Sequence, residues 1–95
     1  MKAVITVTGK DTKGIIAKVS TLCSEFSANI LEITQSVIGE YFAMVMLIDI
    51  NELSCEFDKF SDSMKELGRK SCLIIDVMHE DIFNSMHRIW KDTKW

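Results

Sequence analysis

The stretch AVITVTGKDTKGII, residues 3–16, decides the fold because it joins an extended apolar run directly to an amphipathic helix. Its first part, Ala3 to Thr8, is rich in β-branched residues and predicts a strand. Beyond it, apolar side chains recur at helical spacing, at Ile15, Ile16, Val19, Leu22, Cys23 and Phe26. Residues 9–14 are therefore predicted to be a strand-to-helix loop.

This loop could form a small anion-binding corner. The amide N–H groups in the first turn of a helix have no intrahelical partners and point outward, so they can hold a carboxylate or a phosphate. Lys10 and Lys13 would add positive charge nearby. Alternatively, Asp11 or Thr12 only caps the helix and the two lysines are solvated.

The composition is that of one small ordered domain, with 95 residues, 47% of them hydrophobic, and no proline. A net charge of -3 gives no electrostatic reason to expect binding to nucleic acid or to an anionic membrane. No apolar run reaches the roughly 18 residues that span a bilayer. The three cysteines form no Cys-x-x-Cys pair, which indicates reduced thiols. We therefore expect a cytoplasmic protein.

Two further strands follow the first helix and are predicted to form a hairpin. Residues 28–38 alternate, with Leu31, Ile33 and Val37 on one face and polar side chains on the other, which indicates a strand with one solvent-exposed face. Gly39-Glu40 predicts a tight turn. Residues 41–50 are apolar on both faces, which is typical of a central strand.

The second half of the chain repeats the helix and strand pattern. Asn51 or Ser54 is the predicted N-cap of a helix that Gly68 ends, and residues 71–78 are the predicted last strand. The apolar positions of that helix are Phe57, Phe60, Met64 and Leu67. A short C-terminal helix is indicated by Ile82, Phe83, Met86, Ile89 and Trp90. Residues 91–95 are predicted to be a flexible tail.

This order of elements predicts a single α+β domain over residues 1–90. The expected architecture is a ferredoxin-like βαββαβ sandwich, a four-stranded antiparallel sheet with two helices on one face and an extra C-terminal helix. Because the helices cover one face only, the other face and an edge strand stay open. A second subunit or the C-terminal helix must cover part of this apolar surface, so we expect dimerisation.

Several uses of such a fold lack the residues that they need. A metal chaperone requires paired cysteines before the first helix, and residues 9–14 contain none. An RNA-binding sheet requires basic residues beside its aromatic ones, and residues 41–50 contain no Lys or Arg. Gly9 and Gly14 have the spacing of a phosphate loop, but Ile15 and Ile16 replace its lysine and hydroxyl residue. No cofactor or metal is expected.

The ionisable residues give no support for catalysis. His79 and His87 lie eight residues apart, and neither has a cysteine or serine partner evident in the sequence. Glu25, Glu32 and Glu40 show no spacing that forces two carboxylates together. The chain is therefore predicted not to be an enzyme.

The loop and the element order resemble the ACT domains, small regulatory modules that commonly bind amino acids. The resemblance rests on Val4-Ile5-Thr6-Val7 before Gly9-Lys10-Asp11, on Gly14-Ile15-Ile16-Ala17, and on Asn29-Ile30. The runs Ile33-Thr34-Gln35-Ser36-Val37, Glu40-Tyr41-Phe42 and Ile82-Phe83-Asn84-Ser85-Met86 are similar to the stand-alone ACT proteins of the UPF0237 group. That group is related to the ACT pair of the glycine-cleavage-system transcriptional repressor.

The resemblance implies a homodimer with ligand sites between the first loop of one subunit and the second strand of the other. The ligand-binding residues that it implies are Asp11, Lys13, Gly14, Ile15, Asn29 and Ile30. Amides at Gly14 and Ile15 would meet a carboxylate, and Asp11 or Asn29 would accept from an ammonium group. Structural alternatives stay open: Gly14 only relieves crowding between helix and sheet, the isoleucines are core, or Asn29 only terminates the helix.

Three functional hypotheses follow. The first is a dimeric sensor of an amino acid or small carboxylate that changes its fit to a regulated protein partner. The second is a ligand-free interaction module for a separate regulator or enzyme. The third, a small enzyme that uses His79 or His87, has the least support. Thr12 and Lys13 interrupt the glycine-rich turn of amino-acid-biosynthetic enzymes, so the sequence leaves the ligand open.

Overall fold

The computed structural model of the chain describes residues 1–10 and 14–85. In order, its elements are β1 (Lys2–Gly9), α1 (Ile15–Glu25), β2 (Asn29–Ile38), β3 (Tyr41–Asp49), α2 (Phe57–Ser71) and β4 (Ile74–His79). Residues 80–85 are also helical. The predicted βαββαβ order and the start of a C-terminal helix are confirmed. Met86, Ile89, Trp90, the predicted tail and the predicted domain limit at residue 90 lie outside the described residues.

The four strands form one sheet in the order β2-β3-β1-β4, and each neighbouring pair is antiparallel. Lys2 lies opposite Asp49 and Gly9 lies opposite Phe42. β3 therefore lies inside the sheet, as its two apolar faces predict. β1 is the other interior strand, and β2 and β4 form the edges.

The core lies between the sheet and the two helices. Alternate residues of β1, β3 and β4 point into it, because successive strand residues face opposite sides of a sheet. From the strands these are Ala3, Ile5, Val7, Phe42, Met44, Met46, Ile48, Ile75 and Val77. From the helices the buried apolar residues are Ile15, Val19, Cys23, Phe60 and Met64.

The edge strand β2 is more exposed than its sequence predicts. Ile33 and Val37 lie opposite the core residues Met46 and Phe42, yet they are 40% and 68% exposed. Leu31, at a register shift in the strand, is 42% exposed. The prediction of one buried apolar face is therefore wrong in a single chain, because among residues 29–37 of this edge strand the core is contacted at the partly buried Ile30 and not at Leu31, Ile33 or Val37.

The end of α1 is closed by backbone hydrogen bonds. The N–H of Ala28 donates to the carbonyl of Cys23 at 2.8 Å, and the N–H of Ser27 donates to that of Ser24 at 3.1 Å. Ser27 has φ 61°, the left-handed conformation that this C-terminal motif requires. Asn29 is therefore the first residue of β2 and does not terminate the helix.

Both predicted ends of α2 are wrong. Its N-cap is Glu56. Asn51 and Ser54 lie before the helix, where the N–H of Asn51 donates to Asp49 Oδ1 at 2.8 Å and that of Ser54 donates to the Phe26 carbonyl at 2.9 Å. The helix continues past Gly68 to Ser71 and ends at Cys72, which has φ 59°. As a result β4 begins at Ile74 instead of residue 71.

The three cysteines differ in accessibility, which leads to a first prediction. Cys23 is buried, Cys55 is half-buried and Cys72 is exposed, and burial raises the pKa of the Cys23 thiol from 9.0 to about 11. Since the thiolate is the reactive form, we expect Cys72 to react first with Ellman's reagent in native protein and Cys23 to react only after denaturation. Reaction of Cys23 at the rate of Cys72 in folded protein would contradict this packing.

The same shift predicts the alkaline stability of the domain. The folded pKa of Cys23 lies above its ordinary value of 9.0, so the folded state holds the proton more tightly than the unfolded state. Its stabilising contribution is complete below pH 9 and decreases as the pH rises toward about 11. We expect Cys23→Ala to flatten the decrease in the free energy of unfolding across this range, measured by urea titration.

Candidate functional site

The corner between β1 and α1 depends on the backbone conformation of Gly14. This residue is the N-cap of α1 and has φ 72°, a region that glycine occupies readily and other residues rarely. A Cβ at Gly14 would meet no atom of the described residues within 4 Å. The alternative that Gly14 relieves crowding between helix and sheet is therefore wrong, and the residue serves the turn itself.

Among the described residues at the N-terminus of α1, from Gly14 onward, no acidic side chain complements the helix dipole. Gly14 supplies no side-chain cap, and the first turn contains no acidic residue. The alternative of Asp11 or Thr12 as the N-cap residue is wrong, because Gly14 occupies that position. The α2 helix differs, since Asp58 lies in its first turn and Arg69 and Lys70 in its last. The outward amides and partial positive charge of α1 are the groups that an anion would contact at this corner.

The two lysines of the loop do not have equivalent positions in the structure. Lys10 Nζ lies 3.8 Å from Glu40 Oε2 and 5.5 Å from the centre of the Tyr41 ring. Lys10 thus contacts the turn between β2 and β3, although both charged groups are largely exposed and the pair contributes little stability. Asp11, Thr12 and Lys13 lie outside the described residues.

The other predicted binding residues lie at the start of β2. Asn29 is exposed and lies directly opposite Asp49, whereas Ile30 lies opposite the buried Ile48 and packs against the core. A cavity of about 390 Å³ opens here, lined by Ser27, Asn29, Asp49, Asn51 and Glu52. Its walls offer oxygen acceptors and two carboxylates, groups that suit an ammonium ion.

Within one chain the predicted residues fall into two separate groups. Asn29 is level with Asp49, and Asp49 is level with Lys2 at the start of β1. Gly14 follows the opposite end of β1, after Gly9. Seven residue-to-residue steps along β1 separate these ends, about 23 Å at about 3.3 Å per step. In one chain, Gly14 and Ile15 form one group and Asn29 and Ile30 form the other. The two groups lie at opposite ends of the sheet and do not meet.

Sequence reasoning missed Asp49 as a neighbour of Asn29. The sequence gives only a weak indication of this contact, because the two residues are 20 positions apart and are brought together by the register of β2 and β3. Asp49 is a polar residue at the end of a strongly apolar strand. That position could have marked it as a candidate once the hairpin was predicted.

The structure gives His79 a packing role. Its ring stacks on that of Phe57, with centroids 4.1 Å apart and planes 23° apart, and His87 lies outside the described residues. Among residues 1–10 and 14–85, no three His, Cys, Asp or Glu side chains could together hold a metal ion. The same residues include no helix long and apolar enough to cross a membrane.

Comparison with known proteins gives consistent results. Residues 2–78 match the family model of the ACT domain. A UPF0237 protein of Clostridium perfringens is 49% identical over 94% of this chain and 100% of its own length. A UPF0237 protein of Methanococcus maripaludis is 42% identical over 90% of this chain and 96% of its own length.

Solved structures show the same relationship. An ACT domain protein from Streptococcus pneumoniae is 36% identical and superposes with a TM-score of 0.76, covering 87% of this chain and 93% of that one. A protein assigned as a glycine cleavage system transcriptional repressor is 26% identical with a TM-score of 0.64, covering 80% of this chain and 43% of that one. The predicted resemblance is confirmed.

Proposed function

The chain belongs to the ACT domain family, and from this premise we propose that it is a cytoplasmic regulatory homodimer that binds an amino acid or a related small carboxylate. The observation that carries the proposal is the separation of the two groups of predicted binding residues. A corner suited to a carboxylate lies at one end of the sheet and acceptors suited to an ammonium ion lie at the other. An amino acid needs both, and a second copy can supply the missing half.

The strand directions explain how two copies would complete a site. β2 runs parallel to β1, because both are antiparallel to β3. If the β2 strands of two copies pair antiparallel about a two-fold axis, the start of one β2 lies beside the end of the other. Asn29 of the second copy then approaches the end of the sheet that carries Gly14. The symmetry forms two such sites.

The edge of β2 has the properties of a pairing surface. It is ten residues long and contains no lysine or proline, the residues that usually protect an edge from pairing. Its exposed apolar side chains are Leu31, Ile33 and Val37. The opposite edge strand, β4, has only six residues. Each strand contains one acidic residue, Glu32 in β2 and Asp76 in β4, so length and exposed apolar area distinguish the two edges. β2 is therefore the favoured edge for a second copy.

Each group has a stated chemical role in this proposal. The outward amides at Ile15 and Ile16 donate to the ligand carboxylate, and the partial positive charge of the helix N-terminus stabilises it. Asn29 and Asp49 of the second copy accept from the ligand ammonium group. A regulated protein would then sense the change in the dimer on binding. The proposal gives His79 no catalytic role.

A thermal-shift panel tests the proposal. Purified protein is heated with each common amino acid and with simple carboxylates, and its mass is measured in parallel. A ligand at 100 times its dissociation constant stabilises the folded state by about 2.7 kcal/mol, which raises the Tm of a domain of this size by about 10 °C or more. We expect Asn29→Ala to abolish the shift. Asn84→Ala, a matched change at an exposed site on the C-terminal helix, should keep it.

The second candidate is an interaction module without a ligand, favoured by the exposed apolar residues of β2. A panel with no shift in a protein that still has dimer mass would support this candidate and reject the sensor. A shift that Asn29→Ala leaves intact would place the ligand elsewhere on the domain.

A further inference from the structure

A groove runs between α1 and α2 on the side of the helices that faces away from the sheet. It encloses about 440 Å³ and is separate from the residues discussed above. Leu22 and Leu67 form its half-buried apolar floor. Ala17, Thr21 and Ser63 are small lining residues that leave the floor accessible. Such a channel between two helices can accept the side chains of another helix.

Charged residues line this groove unevenly from one end to the other. The helices run in opposite directions, because α1 follows β1 and α2 follows the antiparallel β3. Lys18, in the first turn of α1, and Lys70, in the last turn of α2, therefore lie at one end. Glu25, the last residue of α1, lies at the other end.

The remaining acidic residue of the groove already has a partner. Glu66 forms an ion pair with Arg69, and the hydrogen bond from Arg69 lowers the pKa of that carboxyl, with a smaller contribution from the charge of Lys70. Within the described residues, Lys18, Lys70 and Glu25 form no such pair and all three are exposed. The groove is therefore positive at one end and negative at the other.

We propose that this groove binds the same groove of a second copy of the chain, antiparallel, through a two-fold axis. That orientation places Lys18 and Lys70 of each copy against Glu25 of the other and brings the two apolar floors together. A parallel arrangement would oppose like charges. The contact is isologous, so the same surface of both copies is used and a groove that has bound one copy cannot bind another.

The size of the surface predicts a weak association. Helices of 11 and 15 residues are about 16 and 22 Å long and about 10 Å apart, so each copy offers about 400 Å². A total near 800 Å² is below the range of stable complexes. Because this surface does not include the β2 edge, both contacts can form in one assembly. The mass should therefore double only at high protein concentration, when two β2-paired dimers associate through their grooves.

Sedimentation velocity over a concentration series tests this proposal with two charge-reversed proteins. Glu25→Lys makes the groove wholly basic, and Lys18→Glu combined with Lys70→Glu makes it acidic. Each variant alone should lose the concentration-dependent doubling of mass, with a dissociation constant raised about tenfold or more. An equimolar mixture of the two should recover it, because basic and acidic grooves then face each other. Raising the salt concentration should weaken the recovered association.

A matched control is Lys65→Glu, an exposed change on α2 that does not line the groove, and it should double in mass like the native protein. Two results would overturn the proposal. One is a native mass that stays constant up to the highest soluble concentration. The other is a mass increase that both charge-reversed proteins retain. In either case the second copy would be rejected as the occupant of the groove, and a helix of a different protein would be the remaining candidate.

Discussion

Replacing Phe60 by alanine is expected to destabilise the domain by about 3–5 kcal/mol. Phe60 is completely buried, on the face of α2 that packs against the sheet. Its ring meets that of Phe26 edge to face, with centroids 5.7 Å apart. The substitution removes apolar surface, leaves a cavity and breaks this aromatic contact. The free energy of unfolding of a whole domain of this size is only about 5–15 kcal/mol, so the substitution removes a large part of it.

Urea unfolding followed by circular dichroism measures this effect, and the Tm should fall by about 15 °C or more. Phe57→Ala is a matched control on the same helix, because Phe57 is only half-buried and stacks on His79. We expect its loss to be clearly smaller. Equal losses for the two phenylalanines, or a loss below about 1 kcal/mol at Phe60, would contradict the assigned packing.

Gly68→Ala is expected to destabilise the domain even though alanine favours helices. Gly68 lies within α2 where the helix crosses β4, and an added Cβ would lie 2.9 Å from the Leu73 carbonyl oxygen and 2.9 Å from Ile75 Cγ1. Alanine gains about 1 kcal/mol over glycine in an exposed helix interior. Overpacking against a backbone atom that cannot rotate away costs about 1–3 kcal/mol and outweighs that gain.

The comparison for this prediction is Gly39→Ala, in the turn between β2 and β3. Gly39 has φ 62° and no atom within 4 Å of an added Cβ, so its substitution costs only the conformational strain of about 1–2 kcal/mol. Gly39→Asn should recover most of that loss, because asparagine tolerates this conformation. Gly68→Asn should not recover stability. Stabilisation by Gly68→Ala would show that α2 and β4 are farther apart than in the structure.

The sequence predicted element order well where one physical signal dominated. β3 is apolar on both faces, and this pattern predicts an interior strand. The helix ends were predicted poorly because local cap preferences compete with tertiary partners. Ser54 is a good cap residue, yet its backbone N–H bonds to the Phe26 carbonyl, and α2 starts later. Gly68 reads as a helix end, but the structure uses it for close helix-to-sheet packing.

The site was predictable in part for a similar reason. The need for glycine at position 14 follows from a local turn, and the structure gives that residue a left-handed backbone. The pairing of Asn29 with Asp49 depends on strand register, which no local pattern displays. The exposure of Val37 was also unpredictable, because periodicity identifies a strand face but not whether a helix covers it.

The measurement that tests the central claim most directly is subunit complementation with two damaged proteins. Gly14→Val disturbs the corner of each site, because a β-branched residue is severely strained at φ 72°. Asn29→Ala removes the acceptor at the start of β2. Each variant should keep dimer mass and bind no ligand from the panel.

Mixing the two variants under exchange should restore binding at about a quarter of the native number of sites. Half of the dimers are then mixed, and each mixed dimer has one site built from the intact corner of one copy and the intact Asn29 of the other. A mixture that binds no more ligand than the separate variants would contradict a site shared between two copies.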